Sequence, residues 1–238
     1  MSYTVIVGGN SGIGKGKKED LSKYNKKIIL IDNVIQNVPD KNIYPIKLDL
    51  REISPSIIEN EINEILKNEK IDNFIYCAGI REICNFQSLE LSKWNEIFNV
   101  NVTSFFILAK IISNKMAEGS SIVCISSVSG VLAEPNRMAY VSSKHALIGL
   151  SKCLAIELAS KGIRVNSVAP GVIRTPLTEE YFNDPILIDK INKNHILKRT
   201  GEINEVVDAI SFLISKKSSF MTGTTLYVDG GWTAFKDI

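Results

Sequence analysis

The 238-residue chain is poor in several things that would narrow its function early. Charge of one sign is missing: 28 Lys and Arg against 26 Asp and Glu leave a formal net charge of +2, so there is no electrostatic footprint for nucleic acid or an anionic membrane. Histidine is nearly absent, and neither His145 nor His195 has a second histidine or acidic cluster at ligand spacing, so no metal is expected. The four cysteines, Cys77, Cys84, Cys124 and Cys153, form no C-x-x-C pair, which removes zinc ribbons and dithiol redox motifs. Cys77, Cys124 and Cys153 lie in apolar runs and read as small buried hydrophobes, in a reducing compartment. No run reaches 18 apolar residues, so no transmembrane helix is expected. The N-terminus lacks a basic stretch followed by an apolar one, so no signal peptide is expected and the location reads as cytoplasmic. Repeats, linkers and low-complexity blocks are missing too, which favours one domain over 1–238.

What is present is ordinary globular composition, 45% apolar and 23% charged, with a strong order of elements. Short β-branched runs at 3–7, 27–32, 43–47, 73–77, 121–126, 164–168 and 225–228 read as strands. Between them, 15–24, 53–67, 93–116, 140–160 and 202–214 carry apolar residues at spacings of three and four, as helices do. That alternation predicts an α/β fold, a Rossmann-type doubly wound parallel sheet of about seven strands with helices on both faces. Segment 174–199, with Pro176 and Pro185, is the least regular and is expected to form a substrate lid. Lys15, Lys17, Lys18, Lys26 and Lys27 read as a solvated face, His145 as structural or exposed, and Trp94, Phe98, Phe105 and Phe106 as packing.

In such sheets ligands bind beyond the carboxyl ends of the strands. The first strand runs into Gly8-Gly9-Asn10-Ser11-Gly12-Ile13-Gly14, where glycines let backbone amides approach a phosphate and the next helix offers its N-terminal N–H groups. Gly9 to Lys15 also spells the start of a triphosphate P-loop, but Gly16 stands where that motif needs a magnesium-binding Ser or Thr. Asp32 ends the second strand, 18 residues after Gly14. A carboxylate there accepts hydrogen bonds from the adenosine ribose and repels a 2′-phosphate, and the neighbouring positions that would hold a compensating cation are Ser11 and Asn33. NAD is therefore expected over NADP.

The fifth strand ends at Ser126-Ser127; Tyr140 follows 13 residues after Ser127, and Lys144 four after that, on the same helix face. An ammonium beside a phenol favours the phenolate, so Lys144 is expected to lower the Tyr140 pKa and suit it to general acid/base work. Ser127 is placed to hydrogen-bond the same substrate oxygen.

With these residues in hand, the chain resembles the short-chain dehydrogenase/reductase family. The matching stretches are Gly8-x-x-x-Gly12-Ile13-Gly14, Cys77-Ala78-Gly79, Asn99-Val100-Asn101, Ser127, Tyr140-x-x-x-Lys144, Asn166-x-Val168-x-Pro170-Gly171 and Asp229-Gly230-Gly231, in the family's order along essentially the whole chain. The resemblance implies that Tyr140 is the acid/base and Lys144 its partner and ribose ligand, both touching the cofactor. It implies that Ser127 orients the substrate and that Asn101 positions a relay water. Asp49 and Leu50 would contact adenine; Cys77, Ala78 and Gly79 would line the cofactor; Ile173 and Thr175 would contact its carboxamide and phosphate side. A homotetramer built on the helices at 93–116 and 140–160 is implied as well. Three departures stand out: Val7 replaces the usual Thr, Tyr76-Cys77 replaces Asn-Asn, and the first helix is short and charged with Gly16 near its start. An interior helical glycine costs about 1 kcal/mol relative to Ala. These bear on cofactor affinity and local stability rather than on chemistry.

The expected activity is interconversion of a small-molecule secondary alcohol and ketone by hydride transfer, on a polyol, sugar, hydroxysteroid or dihydrodiol. The substrate pocket is expected from 81–85, 129–137 and 176–197, with Arg81, Glu134 and Arg137 available to a polar or acidic substrate. Within the family, an NADPH-dependent 3-oxoacyl-carrier-protein reductase is the alternative; outside catalysis, an idle NAD-binding regulator is the other.

Overall fold

Successive side chains of the first strand, β1 (Ser2–Val7), point to opposite faces, and both faces are apolar: Val5 and Val7 enter one core, Ile6 the other. The second, β2 (Lys27–Asp32), repeats this with Ile29 and Ile31 against Ile28 and Leu30, all four without solvent exposure. Strands apolar on both faces need cover on both. A computed structural model describes residues 2–35 and 40–235 of the chain and supplies that cover. Strands β3 (Ile43–Lys47), β4 (Lys70–Tyr76), β5 (Met116–Ile125), β6 (Arg164–Pro170) and β7 (Thr225–Val228) complete one parallel sheet in the order β3-β2-β1-β4-β5-β6-β7.

Helices α1 (Gly12–Ser22) and α8 (Ile203–Ile214) cover one face through Leu21, Val206, Ile210 and Leu213. Helices α2 (Pro55–Leu66), α4 (Ser104–Ser113) and α5 (Met138–Leu158) cover the other through Ile58, Ile62, Phe105, Leu108, Ile112 and Leu147. The chain runs β1 to β3 in one direction, then returns to place β4 on the other side of β1. That reversal opens a crevice at the carboxyl ends of β1 and β4.

The single helix expected at 93–116 is interrupted. Helix α3 (Leu91–Phe98) passes through a π turn at Asn99–Thr103 before α4, and Met116 belongs to β5, where it pairs with Ile71. The combined Leu91–Ser113 is long and apolar enough to cross a membrane, but 56% of its apolar window is buried within the fold, with Phe105, Leu108 and Ile112 fully enclosed against the sheet. Trp94 stacks on Phe98 and Phe105 on Phe74, while Phe106 is half exposed.

Three other expectations are corrected. Lys17 is not on a solvated face: it is 1% exposed, its ammonium bonded to Asp20 at 2.6 Å and to Ser211 of α8 at 2.7 Å. Gly16 is not a local weakness, because a Cβ there would stand 2.5 Å from Ile203 Cγ2 and 3.2 Å from Val207 Cγ2; the α1–α8 packing requires its absence. Of the three cysteines read as buried, Cys124 is, Cys77 is partly so, and Cys153 is exposed on α5.

The segment 174–199 is more regular than its composition implies. It holds α6 (Glu179–Phe182) and α7 (Pro185–Asn194), the latter capped by Asp184, whose carboxylate accepts from the Ile186 and Leu187 amides. Its end is anchored by His195, 1% exposed, which bonds the Ile191 carbonyl and packs edge-on against Trp232. Burial pushes its imidazole pKa down. His145 is exposed on α5.

Candidate active site

At the crevice the backbone of β1 turns so tightly that side chains are excluded. A Cβ on Gly8 would lie 2.8 Å from the Ala78 backbone, and one on Gly14 only 2.1 Å from the Gly8 carbonyl oxygen. Gly12 has φ +50°, a conformation glycine adopts without strain. Helix α1 therefore starts directly at the crevice, with no acidic residue in its first turn to occupy its positive end.

Two cavities meet at Gly79. One, of about 360 Å³, is lined by Gly8, Ser11, Asp32, Asp49, Leu50 and Ala78 among others; the second, of about 110 Å³, by Ile13, Cys77, Ser127, Tyr140, Lys144, Ile173 and Thr175. Of the residues singled out from sequence, these are brought together. Asn10, Gly12, Gly14 and Asn101 lie behind the lining. The Asn10 side chain is spent on the Val34 carbonyl and the Lys18 ammonium, and its backbone N–H donates to Asp32 at 2.9 Å. A larger cavity of about 430 Å³ lies toward β7 and His195 and contains none of Ser127, Tyr140 or Lys144.

An elongated groove with a carboxylate at one end, bare backbone and a helix N-terminus in the middle, and a phenol and an amine at the other matches the parts of a nicotinamide dinucleotide in order. Asp32 would meet the adenosine ribose, the glycine turn the pyrophosphate, and Lys144 the second ribose. Near Asp32, Ser11 and Asn33 line the cavity as the sequence implied, but the reading missed Arg51, which lines it as well. Its guanidinium is held by Asp49 at 2.5 Å and Glu96 at 3.9 Å, and that contact holds the Asp49 carboxyl at about 2.

The reacting end is built by three elements. Ser127 follows β5; its oxygen accepts from the Ser129 amide at 3.2 Å. Tyr140 and Lys144 project from the first turns of α5, the Lys144 nitrogen 5.6 Å from the Tyr140 ring centroid. Lys144 is 4% exposed and donates to the Ile125 carbonyl at 2.9 Å; burial lowers its pKa to about 8. The expected depression of the Tyr140 pKa is not found. Burial raises it; the Ser127 hydrogen bond, Arg81 and Arg137 pull it down, and Glu134 adds to the rise. The physical reason is that burial of the phenol outweighs the charges around it, while the Lys144 ammonium, itself desolvated, sits over the ring.

Asn101 lies in the π turn, 0% exposed, its amide donating to the Ile80 carbonyl and Ser143 hydroxyl at 2.9 Å and its oxygen accepting from the Ile80 amide at 2.9 Å. The turn displaces the side chain from the regular helical track toward Gly79, which it flanks together with Lys144. Tyr76, noted as a departure, serves this turn: fully buried, its hydroxyl reaches the Val100 carbonyl and Ser104 hydroxyl.

Sequence reading missed Glu82. It is 6% exposed and accepts from the Ala139 amide at 2.8 Å and the Tyr140 amide at 3.1 Å, capping α5 from outside the helix where Arg137 provides no side-chain cap. No local signal marks it, since donor and acceptor are separated by 57 residues.

The comparisons agree with this geometry. A family model described as Enoyl-(Acyl carrier protein) reductase matches residues 13–233. The chain is 36% identical over 235 residues to the 3-oxoacyl-[acyl-carrier-protein] reductase FabG of Buchnera aphidicola subsp. Acyrthosiphon pisum, covering 95% of each. Among solved structures it resembles a 4-hydroxyisoleucine dehydrogenase complexed with NADH, at 37% identity and a TM-score of 0.92 over 99% of this chain and 100% of that one. It also resembles ElxO with NADP bound, at 28% identity and a TM-score of 0.88 over 98% and 99%. Seven parallel strands, a glycine turn at their switch point and a Ser-Tyr-Lys cavity beside it, together with these matches, place the chain in the short-chain dehydrogenase/reductase family of oxidoreductases.

Proposed function

We propose that the protein is an NAD-dependent dehydrogenase that interconverts a secondary alcohol and a ketone, with Tyr140 as the general acid/base. The observation that carries this is the joint lining of one cavity by Ser127, Tyr140 and Lys144, which shares Gly79 with a second cavity lined by Asp32. A bound nicotinamide supplies or accepts the hydride and, when oxidised, adds positive charge near the phenol. In the oxidation direction Tyr140 takes the hydroxyl proton, and in reduction it returns one to the carbonyl oxygen. Ser127 holds that oxygen, and Lys144 fixes the ribose and the ring above it. Asn101 acts from behind, through Ile80 and Ser143. Asp32 supports NAD over NADP, because its carboxylate stands in the adenosine cavity and Arg51 is already paired to two acids. The relative crystallised with NADH acts on 4-hydroxyisoleucine, a secondary alcohol.

Segment 174–199 serves as the substrate lid, since Leu177, Thr178 and Tyr181 wall the reacting end. A homotetramer is supported by apolar side chains left in solvent on the helices expected to pair, Phe106 at 48% and Ile156 at 78% exposure. The compartment is cytoplasmic, in keeping with four unpaired thiols. The resemblance to FabG over 95% of the chain favours a second reading, a 3-oxoacyl-carrier-protein reductase.

Fluorescence titration with NADH and, separately, NADPH separates the two. Preference for NADH, relaxed by Asp32→Ala, is expected; preference for NADPH moves the assignment to the oxoacyl reductase. Tyr140→Phe should abolish turnover while dinucleotide binding persists. Retained turnover would show that another group moves the proton.

A further inference from the structure

We propose that Arg81 and Arg137 bind a carboxylate of the substrate, so that this enzyme acts on secondary alcohols and ketones that are also carboxylic acids. The proposal deepens the dehydrogenase reading above and rests on it for the identity of the reacting group.

Against Tyr140 and Ser127, across a cavity of about 70 Å³, stand the side chains of Arg81, Arg137 and Tyr181. The arginine side chains are only 11% and 10% exposed. A buried guanidinium is costly unless an anion or several acceptors meet it. Both donate to one atom, the Tyr181 hydroxyl oxygen, and Arg81 also lies over the Tyr181 ring at 4.5 Å. A phenol oxygen that accepts two hydrogen bonds has used its acceptor capacity, which leaves its own O–H to donate. This wall therefore presents three donor groups, two guanidiniums and a phenol, to one chamber.

The acids nearby meet that demand only in part. Arg81 meets Glu180 at 2.7 Å, but Glu180 is 57% exposed and on the solvent side, where an ion pair contributes little. Arg137 meets Glu134 at 3.4 Å through its Nε, and its Nη1 reaches the Glu82 carbonyl at 3.3 Å. The planar fork of arginine matches the two oxygens of a carboxylate, and an acid bound in the chamber would meet the guanidiniums on the side away from Glu180 and use the Tyr181 hydroxyl as a further donor. Val128, Leu177 and Trp232 give the lining an apolar side that suits a short aliphatic spacer between the acid group and the reacting carbon, while Glu134, which also lines the chamber, is held by the Ser129 hydroxyl and the Arg137 Nε. Both guanidiniums also act on the Tyr140 phenol, so acid group and reacting oxygen share one electrostatic environment. A competing role for the same cluster is purely mechanical, fastening α6 to the body of the protein through Tyr181.

The test uses 3-oxobutanoate, 4-oxopentanoate and 5-oxohexanoate, each beside its uncharged amide, with NADH and the intact protein. At least one acid should exceed its amide in kcat/KM by about tenfold or more, the factor expected from a single charge-assisted hydrogen bond. In Arg81→Gln and Arg137→Gln that acid-to-amide ratio should fall toward one, and Tyr181→Phe, which removes only the hydroxyl, should lower it less. A fastening role would lower acid and amide in proportion and keep the ratio, which overturns the proposal. Equal use of acids and amides by the unaltered enzyme overturns it as well, while leaving the dehydrogenase reading intact. Calorimetric titration of the same pairs into NADH-loaded Tyr140→Phe protein separates binding from chemistry. If acids bind more tightly than amides there, and the arginine variants lose the difference, the carboxylate site stands even where no ketone is reduced. If neither binds, or both bind alike, it falls.

Discussion

Gly16→Ala sets two physical effects against each other. In an isolated helix the change stabilises by about 1 kcal/mol, because alanine loses less backbone entropy on folding. Here the new Cβ would lie 2.5 Å from Ile203 Cγ2 and 3.2 Å from Val207 Cγ2. Carbon atoms in contact prefer about 3.5–4.0 Å, so the first contact is short by about 1 Å. Ile203 cannot swing aside cheaply, since Cγ2 is fixed to a branched Cβ whose χ1 is restricted in a helix. Nor can α1 slide freely, because the buried Lys17 ammonium ties it to Ser211 of α8. Overpacking of this kind costs about 1–3 kcal/mol, which leaves a net loss of about 1 kcal/mol after the helical gain. Urea unfolding followed by far-ultraviolet circular dichroism reads this directly. The same substitution in an Ile203→Ala background, where the obstructing methyl is gone, should become stabilising. NADH affinity should fall in the single variant, because tilting α1 moves the helix start that faces the dinucleotide. If Gly16→Ala stabilises by about 1 kcal/mol in both backgrounds, the close approach of α1 and α8 is wrong.

Glu82→Ala should cost about 2 kcal/mol, for a lost cap and unpaired amides at a buried helix start, and should lower kcat more than it raises KM because Tyr140 loses its fixed position; thermal unfolding and steady-state kinetics check both. Alcohol oxidation needs ionised Tyr140, whose pKa is raised in the free protein, so its rate should climb from neutral to alkaline pH, while ketone reduction, which needs the neutral phenol, should not climb. Oxidation that slows and reduction that quickens as pH rises would contradict the role given to Tyr140. Lys144 has a folded pKa of about 8 against 10.5, so the unfolded chain binds the extra proton between these values and burial of the ammonium destabilises the fold below pH 8. That penalty is relieved as pH rises, so the stability of the unaltered protein relative to Lys144→Met should improve by on the order of 2–3 kcal/mol between pH 7 and pH 10. A gap that stays constant would mean that Lys144 is not desolvated.

The parallel sheet and its strands were legible because such strands declare themselves as short apolar runs, and Ile28 to Ile31 or Ile122 to Ile125 need no partner to be recognised. Ser127, Tyr140 and Lys144 were legible as well, since strand end and helix start bring them together over 18 residues. What sequence could not supply was the consequence of non-local packing. Lys17 and Gly16 look like a charged, weak helix until α8 is laid against them. Glu82 looks like any loop acid until α5 begins at its carboxylate. The Tyr140 pKa was misjudged for the same reason: i,i+4 spacing states that two side chains are neighbours and says nothing about how much water reaches either.

The π turn at Asn99–Thr103 inserts the equivalent of one extra residue into an otherwise continuous helix. Its removal by deletion of a single residue would leave a straighter and locally more comfortable helix, with every side-chain type of the site still encoded nearby. Yet Asn101 would be carried about 100° around the helix axis, away from Ile80, Ser143 and the floor at Gly79. The placement of Asn101 is thus specified partly by a count of residues, and a length change of one there does what no conservative replacement could: it keeps the side chain and moves it off Ile80 and Ser143.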